Sequence, residues 1–394
     1  MFRNPWTVTF FTSMVLYVLC RNHEETMTAE EESSLDIISE QEKELLGVAV
    51  HVLEERRDTG LEGLVGNLDS VIIATEPDRL VPAVYELLRY TGLSCTESFF
   101  DTDSQSYVLS LPGSASIIVQ SRFTADNPFV ALNKARMTGS LPNTRLETFV
   151  FNTNNLRDYV AIQMTRGVKF LTPAPVQSEY FSFIQTVPSR FTGNSLGFIE
   201  WYDKDRLYVP QHGTVITPDI AKPVHQYLKN ISVLDHTATR VRAQDRTAAI
   251  LEFIALTNYH YDFAVHVKPL NSITSVARRK KDDFAMVFTS GITSFSNDAD
   301  SGPTERFIQN YGTRVHHMAF RTNEIETTVK ALNRDGMAFL LEIVGSEGEG
   351  LKQIFSEPSQ NTLIVNEYIH RYGDFEGFFT RSNVERLTRA TEKQ

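Results

Sequence analysis

The sequence predicts an α+β fold in which tandem βαβββ units form two half-open, eight-stranded barrels. A length of 394 residues leaves room for two domains of ordinary size. Strand-like and helix-like segments follow one another in the same order four times between residues 66 and 372. In addition, three strand-like segments of the second half resemble segments of the first half at a nearly constant spacing. Four such units in two pairs imply two curved sheets.

The first half of the chain contains two of these units. In the first unit, a β-branched run at Ser70–Thr75 predicts a strand, and Pro77–Tyr90 predicts a helix with one apolar face. Turn residues at Pro112–Ser114 predict a hairpin between Ser106–Leu111 and Ala115–Gln120. The second unit is predicted to contain the helix Leu156–Arg166 and the strands Glu147–Asn152, Val168–Leu171, Tyr180–Thr186 and Ser195–Trp201.

Residues 231–372 repeat this order of segments. The predicted helices of the second half are Ala243–Thr257, Ile325–Asp335 and a short final helix, Asn383–Glu392. The predicted strands are Ile231–Val241, His260–Val267, Ser272–Ala277, Phe284–Phe288, Val315–Thr322, Ala338–Leu341, Leu351–Phe355 and Thr362–Ile369. The two halves are therefore expected to have the same architecture.

We expect five divisions along the chain: an apolar N-terminal segment at 1–30, a linker and helix at 31–65, an N-terminal domain at 66–203, a linker at 204–230 and a C-terminal domain at 231–394. Apolar residues at helical spacing predict that Ser34–Arg56 is helical. The linker at 204–230 contains the turn formers Pro210 and Gly213.

The N-terminal segment has three possible interpretations. Pro5–Cys20 is largely apolar and follows Arg3, as in a signal peptide, but no typical cleavage site follows it. It is an export or organelle signal, a membrane anchor, or the result of a start codon placed too early. Without a signal or anchor, the protein is expected to be cytoplasmic, because two cysteines, Cys20 and Cys95, favour a reducing compartment.

The charge balance argues against a general nucleic-acid surface. The formal net charge is −11, whereas nucleic-acid binding requires clustered lysine and arginine. The one dense basic run, Arg278–Lys281, is followed at once by Asp282 and Asp283. This run is interpreted as a solvated hairpin tip, and no nucleic-acid partner is expected.

The internal repeat identifies three candidate metal ligands. The segments Leu234–His236, Arg314–Asn323 and Asn361–Tyr368 match Leu68–Ser70, Arg145–Asn154 and Asn194–Trp201. The matched residues are Ser70 and His236, Thr148 and His317, and Glu200 and Glu367. Two imidazoles and one carboxylate on one face of a metal are typical of non-haem Fe(II) sites, which keep open positions for substrate and O₂. The second half is therefore predicted to hold a divalent metal, and the first half is predicted to be a degenerate copy.

Neighbouring residues compete for two of these three positions. Glu367 is favoured over Asn366, because the repeat match supports it and asparagine supplies no negative charge. Only one of His316 and His317 is expected to bind, since neighbours in a strand face opposite sides of the sheet. His317 is in phase with the inward face, so His316 points elsewhere or reaches over a substrate edge. His260, His266 and His370 are weaker candidates.

The second half also resembles 4-hydroxyphenylpyruvate dioxygenases, which are members of the glyoxalase-like vicinal-oxygen-chelate superfamily. Leu234–His236, Val315–Phe320 and Glu367–Arg371 resemble the three metal-ligand segments of that family. Four further residues resemble positions of that family near its substrate. They are Gln353 and Phe355 in Leu351–Phe355, Phe378 before the final gating helix, and Ser272 after Leu270–Asn271. The motifs cover roughly residues 230–394, whereas residues 66–203 match in architecture alone.

The resemblance implies an Fe(II)-dependent dioxygenase that takes an aromatic 2-oxo acid and O₂. The implied reaction converts 4-hydroxyphenylpyruvate to homogentisate with release of CO₂, as in tyrosine catabolism. Gln353, Ser272, Phe355 and Phe378 are the implied substrate-contacting residues. A homo-oligomer, either a dimer or a tetramer, is expected. The alternatives are a sister 2-oxo acid oxygenase similar to 4-hydroxymandelate synthase, and a non-catalytic protein that binds a metal or ligand.

Three departures from the family pattern concern the substrate pocket. His316 stands where the family usually has glutamine before the second ligand, and Gly302 begins a segment that usually carries paired glutamines. Val384 replaces the aromatic residue that usually follows the asparagine matched by Asn383. The metal chemistry is therefore better supported by the sequence than the identity of the substrate.

Overall fold

The structure is a computed structural model that describes residues 29–394 apart from residues 125, 203, 205, 299, 374 and 376, with side chains described from residue 40. The apolar segment at 1–30 lies almost entirely outside the described residues, so its three interpretations stay open. Among the described residues, no helix is long and apolar enough to cross a membrane. Both sheets lie within the unit Val48–Gln394.

Nine strands of the first half form one sheet. They are β1 (Val65–Ala74), β2 (Ser94–Phe100), β3 (Ser104–Ser110), β4 (Ser116–Arg122), β5 (Arg145–Thr153), β6 (Val176–Gln177), β7 (Phe181–Gln185), β8 (Ser195–Trp201) and β9 (Thr214–Ile216). Their order is β6-β7-β8-β5-β1-β4-β3-β2-β9. β9 comes from the predicted linker and pairs with β2, whose hydrogen-bonding edge it covers.

Eight strands of the second half form the other sheet. They are β10 (Ile231–Arg240), β11 (His260–Val267), β12 (Ser272–Arg278), β13 (Ala285–Ser290), β14 (Arg314–Thr322), β15 (Val344–Ser346), β16 (Leu351–Phe355) and β17 (Val365–Arg371). Their order is β11-β12-β13-β10-β14-β17-β16-β15. The fold is thus two curved, open half-barrels, which confirms the predicted fold class with one additional strand in the first sheet.

The described helices are α1 (Ala29–Asp58), α2 (Leu80–Tyr90), α3 (Leu156–Thr165), α4 (Arg246–Leu256), α5 (Pro303–Tyr311), α6 (Ile325–Arg334) and α7 (Arg381–Ala390). The sequence analysis missed α5, the strand β2 and the short strands β6, β9 and β15. Two predicted strands, Val168–Leu171 and Ala338–Leu341, are wrong, because each makes just one isolated bridge. They are apolar segments that lie beside a sheet without joining its ladder.

The strand pairing confirms the first matches of the internal repeat. In the second sheet, Ala319 of β14 lies opposite His236 of β10 and, on its other side, opposite Glu367 of β17. In the first sheet, Val150 of β5 is the counterpart of Ala319, and it lies opposite Ser70 of β1. The two halves therefore share both strand order and register around the candidate site.

The third match of the repeat is wrong by three residues. Val150 lies opposite Gly197 of β8, so Gly197 is the counterpart of Glu367. Glu200 lies further along the strand, where its carboxylate accepts a hydrogen bond from the amide of Leu156 at the start of α3. The first half therefore has no carboxylate at the position that Glu367 occupies in the second half.

An aromatic cluster joins the two halves of the molecule. Phe253 of α4 lies 5.9 Å from Phe151 of the first sheet, between ring centroids, and 5.7 Å from Phe288 of the second sheet. Tyr259 lies 5.5 Å from Phe151. All four rings are buried, and each edge-to-face pair contributes about 0.5–1.5 kcal/mol beyond its burial.

Gly302 makes a backbone contact that any side chain would disrupt. A Cβ atom at this position would lie 2.0 Å from the carbonyl oxygen of Leu270. Because backbone must shift to relieve this overlap, Gly302→Ala is expected to lower the free energy of unfolding by about 1–3 kcal/mol in urea denaturation. Gly139→Ala is the matched control, since its Cβ would have only an ordinary contact at 3.6 Å. Equal stability of the two variants would contradict this close approach.

Candidate metal centre

Three buried side chains from three adjacent strands converge in the second half-barrel. The Nε2 atoms of His236 and His317 lie 3.1 Å and 3.3 Å from the same oxygen, Oε2 of Glu367. One ligand atom of each residue lies within 4.8 Å of the others. Two ligand atoms bound to one ion at about 2.1 Å and at right angles are about 3 Å apart. The group therefore has the spacing that a single divalent ion requires.

A β-bulge determines how the two neighbouring histidines lie. Ala238 pairs with His317, but the next residue, Thr239, pairs with Val315, which leaves His316 as the extra residue. His316 and His317 therefore both line one cavity instead of alternating across the sheet. The expectation of strict alternation is wrong at this point, although only His317 belongs to the group of three. The first sheet has a register shift at the matched place.

Hydrogen bonds fix which nitrogen of His317 faces the carboxylate. His316 Nε2 lies 2.8 Å from Oε1 of Gln394, which is an acceptor, so this nitrogen carries the proton. His316 Nδ1 is then an acceptor, and it lies 2.9 Å from His317 Nδ1, which donates to it. The lone pair of His317 Nε2 is consequently free to bind a metal.

A chain of amides supports the carboxylate of Glu367. Nε2 of Gln353 donates a hydrogen bond of 2.6 Å to Oε1 of Glu367, the oxygen that does not face the histidines. Nδ2 of Asn383, in α7, donates in turn to Oε1 of Gln353 at 3.1 Å. Asn383 is fully buried, and Thr380 caps the start of α7. Helix α7 is thereby connected to the candidate site.

Aromatic rings surround the two histidines. The Phe355 ring lies 4.7 Å from the His317 ring, between centroids. Phe378 and Phe379 lie 5.4 Å and 5.2 Å from the His236 ring. The adjoining cavity has a volume of about 40 Å³. Its lining combines residues of the sheet with Val384, Leu387 and Thr388 of α7.

The structure thus brings together most of the residues that the sequence analysis selected. Gln353 and Phe355 line the cavity with His317 and Glu367, and Phe378 lies against His236. Ser272 does not line it, although the residue two places further along β12, Thr274, does. Arg240, Phe379 and Asp235 were missed. The alternation of β10 could have revealed Arg240, which lies on the same strand face as His236.

Solved structures with the same architecture were found by comparison. A triple-substituted variant of 4-hydroxymandelate synthase from Streptomyces coelicolor superposes with a TM-score of 0.63 at 17% identity, over 84% of this chain and 99% of that chain. The two proteins therefore share the tandem half-barrel fold. A xylose isomerase-like TIM barrel/4-hydroxyphenylpyruvate dioxygenase fusion protein superposes with a TM-score of 0.55 at 12% identity, over 84% of this chain. This chain spans 53% of the fusion protein.

The sequence itself gives no corresponding match. Neither a protein-family model nor a curated protein matches this chain. At the identities of the structural matches, the similarity shows the fold, and the chemistry has to be argued from the side chains.

Asp235 holds the other histidine of the candidate site, His236, in place. Its Oδ1 accepts a hydrogen bond of 2.9 Å from Nδ1 of His236, which leaves Nε2 of His236 facing Glu367. Arg321 and Arg371 donate to the same buried carboxylate, each at 2.7 Å. A carboxylate behind a ligand histidine fixes its tautomer and raises its basicity. Asp235 is therefore suited to orient a metal-binding imidazole.

The two histidines have opposite protonation tendencies. Burial lowers the pKa of His317 well below the usual value, and the neighbouring His316 and His236 lower it further. Burial also lowers the pKa of His236, but the charges of Glu367 and Asp235 outweigh it and the net direction is upward. Without a metal, His236 therefore holds a proton more readily than a free imidazole does, whereas His317 is neutral.

Metal affinity is expected to fall in acid because of this proton. The pKa of His236 lies above its usual 6.5, so a metal must displace the proton at any pH below the raised pKa. Above that pKa the affinity should be constant, and below it the affinity should decrease about tenfold per pH unit. Competition with a chelator from about pH 5.5 to about pH 8.5 measures this dependence. A constant affinity over this range would contradict the protonated state of His236.

The first half-barrel lacks the space and the donors for such a centre. A Cβ atom on Gly197 would lie 2.8 Å from the ring of Phe183, so no carboxylate fits there. The hydroxyl of Thr148 donates to Gln185 at 3.0 Å. Ser70 is fully buried. These residues support packing of the first half.

Proposed function

We propose that this chain is a non-haem Fe(II) dioxygenase of the 4-hydroxyphenylpyruvate dioxygenase type, with His236, His317 and Glu367 as the metal ligands. The proposed reaction is oxidation of an aromatic 2-oxo acid by O₂ with release of CO₂, and conversion of 4-hydroxyphenylpyruvate to homogentisate is its foremost form. The observation that carries this proposal is the buried group of two imidazoles and one carboxylate on three adjacent strands. The fold shared with 4-hydroxymandelate synthase supports it.

The donor set fits Fe(II). Two imidazoles and one carboxylate leave part of the coordination sphere open and offset only part of the charge of the ion. When bound, iron would supply the redox chemistry of O₂ and an electrophilic site for the 2-oxo acid. Gln353 keeps the second oxygen of Glu367 engaged, so that Oε2 faces the histidines. Asp235 and His316 hold the imidazoles in the tautomers that ligation requires.

The surrounding residues would exclude water and position the substrate. Phe355, Phe378 and Phe379 form an apolar wall beside the histidines, against which an aromatic ring can stack. A cavity of about 40 Å³ is far smaller than the roughly 300 Å³ or more of typical ligand pockets. Helix α7 is therefore proposed to act as a lid that opens for substrate entry and closes again.

A sister oxygenase is the second candidate function. His316 and Arg240 lie at the cavity wall, and a basic guanidinium and an imidazole contact a substrate differently from the amides of the usual family pattern. A hydroxymandelate-type enzyme would oxygenate the carbon next to the ring instead of the ring. A non-catalytic protein would bind metal without substrate-dependent O₂ uptake. The expected homo-oligomer, a dimer or tetramer, stays a prediction.

Reconstitution with Fe(II) tests the proposal. The protein is loaded under anaerobic conditions, and O₂ uptake is then followed with a panel of aromatic 2-oxo acids. We expect one metal ion per chain, since the first half-barrel has Gly197 in place of a carboxylate ligand. Mass spectrometry of the product separates ring hydroxylation from oxygenation of the side chain. Bound iron without uptake for any member of the panel would refute the enzymatic function, and two ions per chain would contradict the assignment of the first half.

A further inference from the structure

One buried cation at the candidate site has no counter-charge among the described residues. Arg240 lines the same cavity as His317 and Glu367, and its side chain is only 4% exposed. Within the described part of the chain, its polar contacts are the Thr391 hydroxyl at 2.9 Å and the Pro303 carbonyl at 3.5 Å. Both are uncharged oxygens. Buried charges in proteins are usually paired or bind a charged ligand, because desolvation of a lone charge is unfavourable.

The remaining contact of Arg240 does not neutralise it. Its guanidinium lies 4.5 Å from the centroid of the Phe307 ring. The attraction between a cation and an aromatic ring is weaker than the desolvation cost of burying an ion. Burial lowers the pKa of Arg240 to about 9, so the side chain remains protonated at neutral pH.

Arg240 lies on the same strand as one of the proposed metal ligands. It is four residues beyond His236 on β10, and residues four apart in a strand lie on the same face. At a rise of about 3.3 Å per residue, their Cα atoms are about 13 Å apart. Arg240 also shares its cavity with His317 and Glu367, so a ligand bound at the metal would have this guanidinium in the same cavity wall.

The cavity around Arg240 is lined by hydroxyl groups. They belong to Thr274, Thr289, Thr304, Thr388 and Thr391. A phenyl ring alone would leave these donors and the guanidinium without a partner from the ligand. The chemistry at this end therefore suits an oxygen-rich, negatively charged group.

We propose that the substrate carries a second anionic group, a carboxylate, at the end distant from its 2-oxo acid, and that Arg240 binds this group. The inference rests on the proposed function, because it places the 2-oxo acid at the metal. Arginine offers two parallel N–H donors that match a carboxylate. A neutral hydroxyl accepts a single hydrogen bond and leaves the buried charge unneutralised. Arg240 would thus select a dianionic substrate over a phenol.

Three probes that differ only in the substituent at the para position test this selection: phenylpyruvate, 4-hydroxyphenylpyruvate and 4-carboxyphenylpyruvate. Their affinities are measured by isothermal titration calorimetry with the Fe(II) protein under anaerobic conditions and with the metal-free protein. A charged hydrogen bond contributes about 1.5–3 kcal/mol, so we expect the carboxylate probe to bind about 10- to 100-fold more tightly than the hydroxyl probe. The preference should be visible without metal, although all affinities are then lower.

Variants separate recognition by Arg240 from a general effect of positive charge. Arg240→Gln should remove the preference and Arg240→Lys should retain part of it. Arg242→Gln, at an exposed arginine two residues further along the chain, should retain all of it. Thermal denaturation verifies folding of each variant. If Arg240→Gln does not fold, the wild-type preference and its change in Arg240→Lys decide the question.

Each outcome distinguishes the inference from the proposed function. No preference for the carboxylate probe in the wild type, or an unchanged preference in Arg240→Gln and Arg240→Lys, would overturn the role of Arg240. O₂ uptake that is equally efficient for all three probes would overturn it too, and would leave the oxygenase function intact. Tight binding of the carboxylate probe without any O₂ uptake would support the role of Arg240 and refute the oxygenase function.

Discussion

Replacing His317 with alanine is expected to abolish substrate-dependent O₂ uptake and to lower metal affinity by several orders of magnitude. The variant keeps just one imidazole and one carboxylate, and removal of a ligand nitrogen leaves a coordination position that water has to fill. Because His317 is neutral and buried, its loss leaves no unpaired charge. The protein should therefore fold, and metal content after gel filtration and O₂ uptake measure the effect.

His370→Ala is the matched control for this variant. His370 also lies in the second sheet, on β17, but it is half-buried and its Nδ1 contacts the carbonyl oxygen of Thr322 at 2.7 Å. This substitution is expected to leave metal content and O₂ uptake unchanged. Full metal binding by His317→Ala, or equal losses in both variants, would refute His317 as a ligand.

The sequence predicted the second half of the fold and the three converging side chains because the repeat carries both. His236 and His317 are matched with Ser70 and Thr148, and strand pairing confirms these two matches. The third match failed since similar residues, Glu200 and Glu367, suggested a register three residues away from the true one. A comparison of residue types cannot detect such a shift within a strand, whereas the hydrogen-bond ladder defines it.

Two features of the site depend on geometry that a linear pattern does not contain. The bulge at His316 brings neighbouring residues to the same cavity, and nothing in the local residue types requires a bulge there. The isolation of Arg240 is defined by the absence of a nearby carboxylate among the described residues, which only the packing shows. Ser272 illustrates the opposite case: a motif selected it, yet Thr274 is the residue of β12 at the cavity.

Asp235→Asn is expected to weaken both metal binding and folding. The asparagine amide can donate to Nδ1 of His236, which would place the proton on Nε2, the atom that faces Glu367. Loss of a carboxylate behind a ligand histidine typically reduces metal affinity about 10- to 100-fold. Chelator competition measures this change. An unchanged affinity would show that Asp235 does not orient His236.

The loss of stability follows from the two arginines that Asp235 pairs with. Breaking a buried ion pair costs about 3–5 kcal/mol, and the value here should lie at the low end because Arg321 remains 39% exposed and Arg371 19% exposed. Burial raises the pKa of Asp235, but Arg371 and His236 outweigh it and the net direction is downward. The ionised carboxylate therefore stabilises the fold above its unfolded pKa of about 3.8, and this contribution is lost as the pH falls through the folded value. The difference between the variant and the wild type should shrink accordingly in acid.

The repeat supplies a matched control for this substitution. Asp69 precedes Ser70 as Asp235 precedes His236, and it is also buried. It accepts hydrogen bonds from neutral donors, Nε1 of Trp201 and the hydroxyl of Tyr208. Its one ion pair, with Arg206 at 3.7 Å among the described residues, involves a largely exposed guanidinium, and burial outweighs it and raises the pKa of Asp69. Ionisation of Asp69 therefore opposes folding. At neutral pH, Asp69→Asn should change the free energy of unfolding much less than Asp235→Asn does. It should have no effect on metal affinity. A similar loss of metal in both variants would mean that Asp235→Asn weakens metal binding because it lowers global stability, and not because it changes the orientation of His236.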